Sequence, residues 1–353
     1  MSLIKTRKII CYLCIVTASL FLALAVAEIY FRLPGNTPGA HSTGKQKLKW
    51  DSDNSVYIKS GEATSHHSSS PDPVLGYGPE LNSGKKRSAA RKIRGDEVVY
   101  DVLYSRDEEG RRITPWRGDR ADTLVLLFGC SYTVGEGLND RETFPWQLGE
   151  ILGEKFQVLN YGFHGYGSHQ MLALIESGRL DALMQAYEHV YAFYLTIRGH
   201  ELRSVGLSPW DQDGPRYVLE NGRLKHVGRF SDGPVRLADK LLARSRAYSR
   251  VKLAYRERRA LDIHVAIIAE SMRELEARHH AHALTLIWPN FTPIEPRLRE
   301  SGVRTLALTG AMPDDFESAP EKYTIKYDGH PNALANKYVA EALAEYILNR
   351  SGR

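Results

Sequence analysis

Five apolar runs punctuate the chain, at residues 123–128, 156–160, 189–197, 283–288 and 304–308. Each is short, continuous and bounded by polar or turn-forming residues, the pattern of strands buried on both faces. Stretches with helical spacing alternate with them, at residues 143–152, 168–177, 260–279 and 332–348. Strands covered on both faces need helices on both sides. The alternation therefore predicts an α/β domain with a parallel sheet.

Residues 206–259 interrupt this alternation. Within them Asn221-Gly222 separates two alternating runs, a hairpin signal, and residues 235–258 read as a basic amphipathic helix. This insertion is expected to form a lid or substrate wall. Upstream, residues 97–105 read as a strand and 107–112 as a turn, so residues 72–120 are expected to form a small β-element against the core. Residues 34–71 are rich in Gly, Ser, Thr, His and Lys and read as a flexible linker. His66 and His67 within it read as solvated linker positions.

The N-terminus has a different pattern. Lys5, Arg7 and Lys8 precede an apolar run over residues 9–27, close to the ~20 residues that cross a bilayer. The basic flank predicts that this end stays in the cytoplasm and the body is exported. Residues 1–33 are thus expected to form a transmembrane anchor. Cleavage as a signal segment after Ala25-Val26-Ala27 is the alternative. The domain plan is 1–33, 34–71, 72–120 and 121–353.

Composition narrows the function classes. The 353 residues are 42% hydrophobic and 25% charged, with net charge +5. That is ordinary for a folded domain, and the mild basicity is spread among acidic residues, so nucleic acid is not an expected partner. Of three cysteines, Cys11 and Cys14 lie in the apolar N-terminal run, which leaves Cys130 alone in the body and excludes an internal disulfide there. There is no zinc pattern. His279, His280 and His282 lie at a helix end, where the helix dipole accounts for them. No Gly-Lys-Ser/Thr follows Gly129, and the Gly162/Gly165/Gly167 loop lacks the dinucleotide-binding order, so no nucleotide cofactor is expected.

The chemistry-bearing residues fall in three blocks. Phe128-Gly129-Cys130-Ser131-Tyr132-Thr133 puts a serine in a tight turn where the first core strand ends. In an open parallel sheet, ligands bind at such carboxyl ends. Asn160-Tyr161-Gly162-Phe163-His164-Gly165-Tyr166-Gly167 follows the second strand, and Asp328-Gly329-His330-Pro331-Asn332 precedes the last helix. Taken alone, a serine in a strand–turn–helix is a cap or turn residue, and an Asp-x-His is surface chemistry.

In that order the blocks resemble the SGNH/GDSL hydrolase superfamily, from about residue 123 to the C-terminus. The resemblance implies a flavodoxin-like three-layer sandwich and a Ser/His/Asp mechanism on esters without a cofactor. It makes Ser131 the nucleophile, His330 the base and Asp328 the residue that orients it. The N–H groups of Ser131 and Gly165 would form the oxyanion hole, with Asn160 and Gly162 in the site loop. Three departures stand out. Cys130 replaces the family's Asp. Asp-x-His is one residue shorter than Asp-x-x-His, with Asp314 or Asp315 as substitutes for Asp328. His200, in Arg198-Gly199-His200-Glu201-Leu202, occupies the place of the oxyanion-hole Asn. The expected substrate is a small-molecule ester or an acylated glycan, most naturally O-acetyl groups on envelope or exported polysaccharide. An O-acetyltransferase with the same triad, or a non-catalytic glycan-binding assembly protein, are the alternatives.

Overall fold

The computed structural model describes residues 12, 16, 19, 22–23, 25–30, 69–80, 87–232 and 245–351. The chain divides into two compact units, residues 1–51 with 232–258 and residues 52–231 with 259–353. In the first, residues 25–30 are helical and Ser245 Oγ donates to Glu28 at 2.9 Å. Among the described residues no helix is long and apolar enough to cross a membrane. The expected span at 9–27, Lys5, Arg7, Lys8, Cys11, Cys14 and linker residues 34–68 lie largely or wholly outside the described residues.

In chain order the elements are β1 (Ser69–Asp72), β2 (Gly76–Pro79), β3 (Arg87–Arg94), β4 (Glu97–Ser105), β5 (Thr123–Gly129), α1 (Ser131–Val134), α2 (Phe144–Leu152), β6 (Phe156–Gly162), α3 (Ser168–Glu176), α4 (Asp181–Gln185), β7 (His189–Thr196), α5 (His200–Arg203), β8 (Pro215–Glu220), β9 (Arg223–Arg229), α6 (Arg246–His279), β10 (His282–Ile287), α7 (Glu295–Glu300), β11 (Thr305–Ala307) and α8 (Ala333–Ser351). Residues 246–258 of α6 belong to the first unit and the rest to the second.

The central sheet is parallel, ordered β11-β10-β7-β5-β6. Numbered along the chain this is the 2-1-3-4-5 order of flavodoxin-like folds. Every residue of β5 is buried. Leu124, Leu126 and Phe128 face one cluster, with side chains of α3, α4 and α6. Val125 and Leu127 face the other, with α2 and α8. Burying each such Leu or Phe contributes about 1.5–3 kcal/mol. Two buried faces explain why the strand reads as an unbroken apolar run.

Several boundaries differ from the sequence expectation. Ser69–Pro71, assigned to the linker, already pair with β2. The strand at 97–105 has an antiparallel partner, β3, which sequence reading missed. The expected helices at 235–258 and 260–279 are one helix from Arg246 onward, while residues 233–244 lie outside the described residues. The Asn221-Gly222 hairpin forms as β8 and β9, with both turn residues at positive φ. It packs through Tyr217 on Leu172, Ile263 and Ile267.

Candidate active site

β5 ends at a constriction only glycine tolerates. A Cβ on Gly129, at φ 152°, would come within 2.1 Å of Thr133 Oγ1. The chain turns there directly into α1, whose first residue is Ser131. Neighbouring β6 ends equally tightly, because a Cβ on Gly162 would meet Val134 N at 2.7 Å. Asn160 fastens the two ends. Its Nδ2 donates to Thr133 O at 3.0 Å, and its Oδ1 accepts from Gly162 N at 2.9 Å. Asn160 is thus a fully enclosed brace beneath the loop. Ser131 emerges at the carboxyl end of β5, beside the switch between β5 and β7 where ligands bind in such sheets.

Ser131 Oγ lies 2.8 Å from His330 Nε2. His330 Nδ1 forms a short hydrogen bond with Asp328 Oδ1. The Asp-x-His segment reaches this geometry through a turn rather than an extended strand. Tyr327 and Gly329 take φ 64° and 89°, and Ile325 O accepts from Asp328 N at 3.1 Å and Gly329 N at 3.0 Å. The turn folds Asp328 Oδ1 back under its own imidazole, so one intervening residue suffices. Asp315, a candidate substitute, is engaged by Lys322 and Tyr323 instead. Asp314 is exposed.

Three further residues complete the surroundings, and sequence reading singled out none of them. Lys92 from β3 places Nζ 2.5 Å from Asp328 Oδ2, the Asp328 side chain being 0% exposed and that of Lys92 37%. Glu136 Oε2 lies 3.5 Å from His330 Nε2 and 3.0 Å from His164 Nδ1. His164 was quoted only as a loop residue. Burial opposes charge on His330, but Glu136 and Asp328 outweigh it and raise its pKa above the usual imidazole value. Burial would raise Asp328, yet hydrogen bonds and charge from His330 and Lys92 hold it below the usual carboxylate range. Burial pushes His164 down against the pull of Glu136. A neutral His164 must then carry its proton on Nδ1 to donate to the carboxylate.

Gly165 sits in the turn after β6, at φ 75°, with Phe163 N donating to Gly129 O at 3.2 Å beside the serine turn. Trp210 from the insertion lies against it, Nε1 donating to Gly165 O at 3.4 Å. His200 is placed differently from the expectation. It is fully buried, and its Nδ1 pairs with Tyr194 Oη at 2.7 Å. Among the described residues its Nε2 has no hydrogen-bond partner, and it is shut off from solvent. The nitrogen that would donate to an oxyanion is thus enclosed rather than open to solvent. His200 instead borders a buried polar network in which His264 pairs with Thr196, Ser168 and Ser204. Cys130 is buried, so its thiol is not presented to solvent.

Among the described residues, the one group spaced to hold a cation is Glu136, Asp328 and His330. Both Asp328 oxygens are already taken, one by His330 and one by the Lys92 ammonium. That is a poor donor set for a metal. His279 pairs with Asp181, and His282 with Tyr346. A cleft of about 290 Å³ opens beside the edge strand, lined by Arg111, Tyr161, Phe163, Tyr166 and Arg179. Ser131, His330 and Asp328 are not part of it.

No protein-family model matches the chain, and no curated protein matches it either. Solved structures do. The chain is similar to a putative lipolytic protein of the G-D-S-L family from Desulfitobacterium hafniense, at 12% identity and a TM-score of 0.38, over 63% of this chain and 98% of that one. It is similar to an acetyl xylan esterase from the rumen bacterium Butyrivibrio proteoclasticus, at 12% identity and a TM-score of 0.40, over 69% and 66%. It is also similar to a carbohydrate acetylesterase from Sinorhizobium meliloti, at 11% identity and a TM-score of 0.32, over 64% and 99%.

Proposed function

We propose that the chain is a serine esterase that hydrolyses acyl esters, with Ser131 as nucleophile, His330 as base and Asp328 as its orienting carboxylate. One observation carries the reading: the unbroken line from Ser131 Oγ through both nitrogens of His330 to Asp328, at the carboxyl end of β5. A serine hydroxyl is a weak nucleophile until a base takes its proton. As Ser131 Oγ bonds to the acyl carbon, its proton passes to His330 Nε2. The carbonyl electron pair moves onto oxygen, where the N–H groups of Ser131 and Gly165 receive it. The imidazolium then gives its proton to the leaving oxygen as the C–O bond breaks. Water, deprotonated by His330, releases the acid from Ser131. No step needs a cofactor.

The substrate proposed is an O-acetyl group on envelope or exported polysaccharide, with the body outside the cytoplasm and the N-terminal segment in the membrane. The basic flank before residues 9–27 supports that location. The test is to incubate the full chain with an acetyl ester, with and without oligosaccharides, and to follow acetate release, sugar acetylation and labelling by a serine-directed phosphonate. Acetate release and labelling at Ser131 are expected. Acetylated sugar without acetate would make the protein a transferase. Glycan binding with neither turnover nor labelling would make it a binding protein.

A further inference from the structure

His330 lies between two carboxylates, and the reading above assigns only one of them. Asp328 holds Nδ1, which is enough to orient the ring. Glu136 lies 3.5 Å from Nε2, the nitrogen that faces Ser131 Oγ. Its position is built. Gly135 at φ 79° reverses the chain after α1, and Glu136 N donates to Ser131 O at 3.0 Å, which fixes the backbone from which the carboxylate reaches His330. His164, on the loop that carries Gly165, grips the carboxylate at 3.0 Å. The Glu136 side chain is only 11% exposed, so solvent screens it little.

We propose that Glu136 is a positioning residue that holds the His330 imidazolium formed when Ser131 gives up its proton, and so sets the pH below which the site is silent. The proposal rests on the esterase reading. In that reaction the Ser131 proton arrives on Nε2 as the Oγ–C bond forms, and it leaves to the alcohol oxygen as the C–O bond breaks. Between those events the ring is a cation with a carboxylate beside the N–H that carries the proton. The same carboxylate favours the cation in the resting site, where it is not wanted. His330 must be neutral to act as base, so raising its affinity for the proton moves the onset of activity to higher pH. Among the described residues, the charged or titratable groups around the pair include Asp328 on the same turn, Lys92 from β3, Tyr132 from α1, His164 from the loop, and Tyr104 from β4 beside Glu136. Lys92 acts on His330 in the opposite sense.

Glu136→Gln keeps size and an acceptor for His164 but removes the charge. Its acid limb of kcat/KM is expected to move to lower pH, while the plateau falls roughly 10- to 100-fold as the imidazolium loses its counter-charge. A merely structural glutamate would lower the plateau without moving the limb. The second readout needs no turnover: the His330 ring is titrated by NMR in the full chain, with and without the substitution. A wild type that turns over no ester, while Glu136→Gln still lowers the His330 titration, sinks the esterase reading and leaves the electrostatic role of Glu136 standing. Should Glu136→Gln lose its fold, His164→Leu, which removes the donor that holds the carboxylate in place, is expected to move the titration in the same direction. An unchanged His330 titration in whichever variant folds overturns the proposal.

Discussion

Arg112 is the buried residue whose removal has the most to reveal about how the serine turn is held. It is 1% exposed, yet it carries a guanidinium. Nε donates to Asp140 at 2.9 Å, Nη1 to Gly135 O at 2.9 Å and Val134 O at 3.2 Å, and Nη2 to Leu138 O at 2.5 Å. Those carbonyls end α1 and line the turn that carries Glu136, and α1 itself is too short to satisfy them. Arg112→Met fills most of the volume but leaves Val134 O and Leu138 O without a donor, while Gly135 O keeps one from Leu138 N at 3.3 Å. A buried acceptor left unpaired costs about 1–3 kcal/mol. Val134 O and Leu138 O are the two stranded acceptors, and Asp140 keeps a bond from Ser105 N at 3.0 Å. Two carbonyls and a half-stranded carboxylate therefore suggest about 4 kcal/mol. Relief from burying the guanidinium reduces that to roughly 3 kcal/mol. Arg112→Lys keeps a charge and some donors and should lose about half as much. The measurement is the denaturant midpoint at fixed slope, with turnover per folded molecule beside it. Both variants should also lose turnover, because the freed turn carries Glu136. A methionine variant within about 1 kcal/mol of wild type and fully active would refute the reasoning.

Four other expectations follow from the same geometry. Ser131→Ala should abolish turnover and phosphonate labelling while shifting stability by less than about 1 kcal/mol, since only one hydroxyl is lost; a labelled variant would move the nucleophile elsewhere. Lys92→Met removes a cation that disfavours protonated His330, so the acid limb of the pH–rate profile should move to higher pH, opposite to Glu136→Gln; an unmoved limb would reduce Lys92 to a surface pair. His200→Ala should lower stability by about 1–3 kcal/mol through the lost Tyr194 bond and leave kcat within a few-fold; a thousandfold loss of kcat at full stability would return it to the oxyanion hole. A reporter fused after Arg353 should be active only in its extracytoplasmic form, and cytoplasmic activity would reverse the proposed topology.

The sheet was legible because its physics is local to each strand. A strand such as Thr123–Gly129, enclosed on both faces, must be apolar throughout, and that alone marks it. β3 hid for the opposite reason. Its sequence, RSAARKIR, buries only Ala90, and what makes it a strand is its register with β4. α6 read as two helices because the sequence of residues 246–258 is mostly basic and polar, while residues 260–275 carry an apolar stripe. A helix carries one hydrogen-bond ladder through such a change of composition, while periodicity sees a break.

The site divides along the same line. Ser131, His330 and Asp328, which lie within hydrogen-bonding reach of one another, were singled out by the order of their blocks along the chain and the resemblance that order carries. Lys92 meets Asp328 across 236 residues, and Glu136 meets His164 across 28. No periodicity links such pairs, and a lysine in a basic strand or a glutamate between two glycines looks like any solvated charge. His200 shows the converse limit. Its place in the block order was readable, but the direction of its ring was decided by the Tyr194 hydroxyl beneath it. The small β-ribbon changes meaning most. Tyr100 and Tyr104 pack it beside Ile325, three residues before Asp328, and Lys92 then reaches the carboxylate that orients the imidazole. A ribbon that only walled the cleft would alter which esters enter. One that supplies the second partner of Asp328 also bears on the proton affinity of His330, so substitutions in β3 belong with the chemistry of the site rather than with its rim.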